Sequence, residues 1–197
     1  MELPIFPLNG AVLFPETSLP LNIFEERYIE MVDYALARDR CIGMIQTDEA
    51  NDLYKVGCIG KIHSFNETND GRYLISLKGT NCFKVIGELN KNFNFRIVNC
   101  EKIMNDEGPI DLNHVNKHEL LNKYKEYIKV KNINLGLEEI ESIELSQLIK
   151  FITMISPFKN EDKQILLETS KLVEFYKRLI SIIELELVGD ITKRTIN

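Results

Sequence analysis

Missing from this 197-residue sequence are most of the patterns that announce chemistry. No G-x-x-x-x-G-K-[ST] loop occurs, so no phosphate cradle is expected. No serine sits in G-x-S-x-G, and no Ser–Lys pair stands out as nucleophile and base; Ser146 and Lys150, four apart, read as the exposed face of a helix. His114 and His118 have metal-ligand spacing, but Val115-Asn116-Lys117 between them lacks the glutamate of H-E-x-x-H, and two ligands do not build a zinc site. The four cysteines, Cys41, Cys58, Cys82 and Cys100, form no C-x-x-C pair and sit among strand-forming residues. They read as small buried hydrophobes kept reduced. No apolar run approaches the ~20 residues that span a bilayer. The opening Met1-Glu2-Leu3-Pro4 lacks the basic and apolar regions of a signal peptide. Clustered Lys and Arg are absent too: residues 1–107 carry 11 basic and 16 acidic side chains, residues 108–197 carry 13 and 14, and the net charge is −6. That balance speaks against a large phosphate-binding surface. The expectation is a cytoplasmic protein with no catalytic residues, no metal, no cofactor and no membrane contact.

What is present divides into two periods. Residues 1–107 read as a mostly-β lobe around one helix. Leu3–Leu8 and Ala11–Pro15 flank Asn9-Gly10, a pair that favours a tight hairpin. Pro4, Pro7 and Pro15 remove backbone donors, which predicts irregular or edge strands. Thr17–Ile23, with Pro20, is extended again. Tyr28, Met31, Val32, Ala35 and Leu36 then recur at three- and four-residue steps and predict a helix over 25–38, with Glu25 and Glu26 complementing its dipole. Cys41–Gln46 reads as a strand buried on both faces. Val56–Phe65 and Tyr73–Lys78 flank the turn Asn69-Asp70-Gly71. Phe83, Val85 and Ile86 continue in a further strand. Phe93-Asn94-Phe95-Arg96-Ile97 alternates as a half-exposed strand should. His63, inside a strand, reads as a partly buried structural residue. So many short strands suggest a small barrel or curled sheet.

At Asp106-Glu107-Gly108-Pro109 the period turns helical, and residues 108–197 read as a helical lobe. Leu120, Leu121, Tyr124, Tyr127 and Ile128 mark one helix. Ile143–Ile155 mark a second, which Pro157 terminates. Asn160 is expected to cap a short third helix over 161–168, and a fourth runs over 170–188. The fold class is therefore α+β, a β lobe followed by a C-terminal helical bundle.

Several segments resemble the free-standing Lon amino-terminal domain. Leu3-Pro4-Ile5-Phe6-Pro7-Leu8, followed by an apolar run ending in Phe14-Pro15, is similar to that family's opening. Pro20-Leu21-Asn22-Ile23-Phe24-Glu25-Glu26-Arg27-Tyr28 resembles its P-L-x-I-F-E-P-R-Y pattern, with Glu26 in place of the usual proline. Pro157-Phe158 with Glu161-Asp162-Lys163-Gln164-Ile165-Leu166-Leu167-Glu168 resembles its P-F-x-x-x-E-K-Q-x-L-L-E signature, with Asp162 in place of a glutamate. The likeness spans about residues 3–187. It implies a PUA-like pseudo-barrel followed by a helical bundle. It also implies a non-catalytic module that binds unfolded polypeptides or a specific protein partner, with an adaptor role in protein quality control. RNA binding, known among PUA-like domains, is the alternative, and the acidic balance opposes it. No oligomeric state follows.

The candidate peptide-binding residues are Phe14, Pro15, Phe24, Arg27, Tyr28, Pro157 and Phe158. Arg27 has the chemistry to read a peptide carboxylate or carbonyl, and Tyr28 offers an amphipathic contact. Aromatics beside chain-breaking prolines form either an exposed apolar groove or an interior plug. Against these readings, Tyr28 lies on the apolar stripe of its helix, and Arg27 has acidic neighbours to pair with.

Overall fold

The computed structural model describes residues 1–104, 115–135 and 140–195. The expected boundary at Asp106–Pro109 lies outside the described residues. Six strands and five helices occur among them: β1 (Glu2–Pro7), β2 (Ser18–Ile23), α1 (Glu26–Leu36), β3 (Cys41–Ile45), β4 (Val56–Glu67), β5 (Tyr73–Leu89), β6 (Ile97–Lys102), α2 (Lys117–Val130), α3 (Leu145–Ile155), α4 (Asn160–Leu167) and α5 (Leu172–Thr195). The chain forms two compact units. The first is Met1–Asn105 together with Lys159–Glu168; the second is Asp106–Phe158 with Thr169–Asn197. Helix α4, which its sequence position groups with the helical lobe, thus belongs to the β unit.

The first unit is one mixed sheet of order β2-β5-β4-β3-β1-β6, in which β6 also pairs with β5. That extra ladder closes β5, β4, β3, β1 and β6 into a circuit and leaves β2 on an edge. Leu3 and Ile5 of β1, Ile45 of β3, Ile59 of β4, Phe83 of β5 and Val98 and Cys100 of β6 pack as one buried cluster. Every strand of the circuit contributes to it, as the filled interior of a small closed sheet requires. Two close approaches demand glycine. A Cβ on Gly79 would stand 2.0 Å from the Phe14 carbonyl oxygen, and one on Gly57 2.5 Å from that of Met44.

Several readings of the first half need correction; residues 93–96, expected to begin a half-exposed strand, are irregular, and β6 starts only at Ile97. Asn9-Gly10 turns the chain, with Gly10 at φ 78°, but makes no hairpin. Residues 11–15 stay outside the sheet, and Val12, Leu13 and Phe14 are all buried, which an alternating hairpin strand does not allow. Nor does proline push β1 to an edge, for it lies between β3 and β6. The reason is register. Ile5 donates toward β6, to the Arg96 carbonyl, and Leu8 donates toward β3, to that of Ile45. By alternation the missing donor of Pro4 would face β3, where pairing starts only at Ile5. That of Pro7 would face β6, where pairing stops at Pro4. Neither proline costs a ladder bond. Finally, 73–89 is a single strand rather than two, flanked by β2 and β4 along its first part and by β6 along its last, with β4 and β6 overlapping at Phe83 and Lys84.

Helix α1 buries Tyr28, Met31, Val32 and Ala35, the stripe its spacing predicts. Helix α4 is anchored to the β unit by polar side chains. The Lys163 ammonium donates to the Gly10 carbonyl at 2.7 Å. Gln164 donates through Nε2 to the Val56 carbonyl at 3.0 Å, and its oxygen accepts from Gln46 Nε2 at 3.1 Å. Leu166 and Leu167 are buried beside them. Asn160 is the first residue of this helix rather than its cap; Lys159 holds that place. His63 lies on β4 at a register shift and is exposed, contrary to the buried role expected.

In the second unit α2 is capped by the Asn116 side chain, which accepts from the amides of His118 and Glu119. Tyr124 and Tyr127 stack at 5.8 Å, and the Tyr124 hydroxyl meets Ser156 Oγ at 3.1 Å. Tyr176 of α5 donates to Glu119 at 2.8 Å. Burial, and then that bond, push its phenol up to about 12. Ser156 ends α3 in an extended conformation, as a residue before proline must.

Candidate functional site

The parallel pairing of β1 and β3 decides where a cleft opens. The chain between them returns through α1, so the amino end of that helix lies by the carboxyl ends of both strands. Strand β6, antiparallel to β1, begins at the same end. Four segments therefore converge there: residues 7–9 at and just beyond the end of β1, Arg27 and Tyr28 in the first turn of α1, Thr47 and Asn51 after β3, and residues 94–96 before β6. They enclose a cavity of about 300 Å³, enough for a small group rather than a folded partner.

Its side chains are held in place by neighbours outside it. Tyr28 packs on Phe6 with ring centroids 4.4 Å apart, and the Arg27 guanidinium lies 4.5 Å over the Tyr28 ring. Arg27 Nε donates to Glu25 at 2.9 Å. Arg96 donates through Nε and Nη2 to the two oxygens of Glu88, at 2.8 and 2.7 Å, a bidentate pair that fixes the guanidinium plane. That bond holds the Glu88 carboxyl below its ordinary range. The Asn9 side-chain oxygen accepts from both the amide and the hydroxyl of Thr47, at 3.1 and 2.7 Å. Asn94 Nδ2 donates to Glu30 at 2.8 Å. Phe95 stacks on Phe93 at 5.0 Å and meets the edge of Tyr34. Burial raises the Tyr28 phenol above its usual value, and the nearby Arg27 opposes that rise. The wall thus holds two guanidiniums and no carboxylate.

A second feature is a set of exposed apolar side chains where β2 and β4 end and β5 begins. Phe24 is 65% exposed and follows Ile23, which faces Tyr73 across the ladder. Phe65 meets the Tyr73 ring edge-on at 4.9 Å. Phe65 and Leu74 are both exposed, on opposite faces of the sheet.

The structure separates the sequence candidates. Arg27 and Tyr28 line the cleft, and Phe24 is exposed just after β2. Phe14, 2% exposed, and Pro15 are interior residues of the β unit. Phe158 is buried against Tyr127 at 5.4 Å, while Pro157 is exposed. Asn9, Asn51, Asn94 and Arg96 escaped notice as site residues. Asn9 read as a hairpin turn and 93–97 as a strand, and only the convergence of their backbones brings them together. His114 lies outside the described residues, and His118 is exposed on α2. Among the described residues no group of three His, Cys, Asp or Glu side chains is placed to hold a metal. No described helix is long and apolar enough to cross a membrane.

Comparison with known proteins supplies the family. The chain is 26% identical over 202 residues to the Lon protease of Buchnera aphidicola, covering 95% of this chain and 25% of that protein. It is 28% identical over 200 residues to the Lon protease of Halothermothrix orenii, with the same coverage. It therefore spans about a quarter of the length of these relatives. Its fold is similar to a Lon N-terminal domain protein from Xanthomonas campestris, with a TM-score of 0.67, 18% identity, and coverage of 92% of this chain and 98% of that one. The RNA-binding alternative draws no support from these similarities. The family model for the ATP-dependent protease La (LON) substrate-binding domain matches residues 2–184, and the chain belongs to that family.

Proposed function

We propose that this protein is a non-catalytic module that binds unfolded polypeptide chains and acts in the cytoplasm as an adaptor for an ATP-dependent protease. The observation that carries the reading is the family match over residues 2–184. The exposed apolar side chains of Phe24, Phe65 and Leu74 fit it, since a surface that meets unfolded chains presents apolar groups that a folded protein normally hides. The closed β circuit is, in this reading, a PUA-like pseudo-barrel, and α2, α3 and α5 form a helical bundle.

The test is retention of a reduced, alkylated globular protein on immobilised module, beside its native form. The denatured form is expected to bind without ATP and emerge intact, with modest salt sensitivity. Phe24→Ser should weaken retention severalfold. Equal retention of both forms, or steep loss of binding as salt rises, overturns the reading. So does cleavage of the bound chain.

A further inference from the structure

We propose that the cleft at the carboxyl ends of β1 and β3 is a carboxylate subsite, which receives either the terminal carboxylate of a bound polypeptide or an acidic side chain within it. The inference rests on the polypeptide-binding reading and names the chemistry of one position within it.

The donors argue for an anion. Glu88 clamps the Nε–Nη2 edge of Arg96, and Glu25 takes the same edge of Arg27. Both clamping carboxylates lie outside the cavity wall. Each guanidinium has five N–H donors in a rigid fork, so the Nη1 end of each is left over and its direction is fixed. Asn9 adds a third donor. Its oxygen is committed to Thr47, which leaves its amide NH₂ as the group available to a ligand. No carboxylate lines the wall, so a cation finds no counter-charge there, while each guanidinium, although paired along its Nε–Nη2 edge, keeps further N–H donors for an anion. Tyr28 and Phe95, both nearly buried, give the wall a rigid aromatic floor. The Asn94 oxygen, with its NH₂ directed to Glu30, is an acceptor for a peptide N–H. About 300 Å³ admits one or two residues, so the subsite reads a group and not a sequence.

Fluorescence anisotropy with the full chain and three labelled hexapeptides tests this. One ends in a free carboxylate, one is its C-terminal amide, and one is an amide carrying an internal glutamate. The free acid or the glutamate peptide should bind about tenfold or more tighter than the plain amide, as expected for charge-assisted hydrogen bonds. Which of the two does so identifies the source. Asn9→Asp keeps an oxygen for Thr47 while placing a negative charge against the ligand. It should remove that preference without changing the thermal midpoint, and Arg27→Gln should reduce it. If all three peptides bind alike, while denatured protein is still retained, the carboxylate subsite is overturned and the polypeptide-binding reading stands. If inorganic phosphate displaces the peptide where acetate at equal concentration does not, the subsite belongs to another anion. If denatured protein is not retained either, both fall together.

Discussion

Gly79 shows how much of this fold hangs on single atoms. Its missing side chain is where the Phe14 carbonyl sits, and that contact seats the buried 12–14 segment against β5. Gly79→Ala forces backbone against backbone, and neither side has a flexible end to give. It should lower stability by about 3 kcal/mol, read as a fall in the denaturant midpoint. Lys163 carries a different signature. Burial lowers the pKa of its ammonium from 10.5, so between the folded value and 10.5 the unfolded chain binds more protons than the folded one. Stability from this group is therefore gained as pH rises through that window and lost as pH falls back through the folded pKa. Lys163→Met should flatten this alkaline rise in a pH series of urea midpoints. An unchanged slope would mean the ammonium is hydrated.

At the scale of elements, α4 is the test of what holds the first unit together. Gln164 joins the Val56 carbonyl to Gln46, and a leucine there would remove both bonds, leaving the buried Gln46 side chain with only the Asn160 carbonyl. Gln164→Leu should cost about 2 kcal/mol, and amide exchange should quicken first at Val56–Ile59 and in α4 itself. Uniform acceleration over the whole unit would show that α4 does not move separately. The helices were legible because their signals are local. The stripe of α1, the Pro157 stop after α3 and the acidic first turn of α4 can each be read from fewer than a dozen residues. Most strands were legible as strands, though Ala11–Pro15 and Phe93–Arg96 are none, and their partners were not legible. Nothing near Asn9-Gly10 reveals that β1 is claimed by β3 and β6, because that pairing is decided by residues about forty and ninety positions away. Of the cleft, Arg27 and Tyr28 could be named, since a helix start is a local event. Arg96 and Asn9 could not, since only the long-range ladders give them a common wall.

The whole molecule is discontinuous: its β unit takes Lys159–Glu168 from beyond a long stretch of the other unit. A fragment ending at residue 104 therefore retains all six strands and lacks the helix that meets Gly10, Gln46 and Val56. It should keep β-type far-ultraviolet dichroism but lose near-ultraviolet signal and bind a hydrophobic dye, as a loosely packed state does. A synthetic 159–168 peptide added in excess should restore part of the packing. A fragment that is already rigid and cooperative alone would show that α4 only decorates a finished barrel.

That discontinuity has a consequence for how the protein is made. Synthesis is vectorial, and the last strand is complete at Lys102 while α4 starts at Asn160. At roughly 5–20 residues per second, the nascent β unit spends several seconds outside the ribosome with its Gln46 and Val56 groups uncovered. Throughout that interval its open surface is available to whatever chaperone attends the exit tunnel.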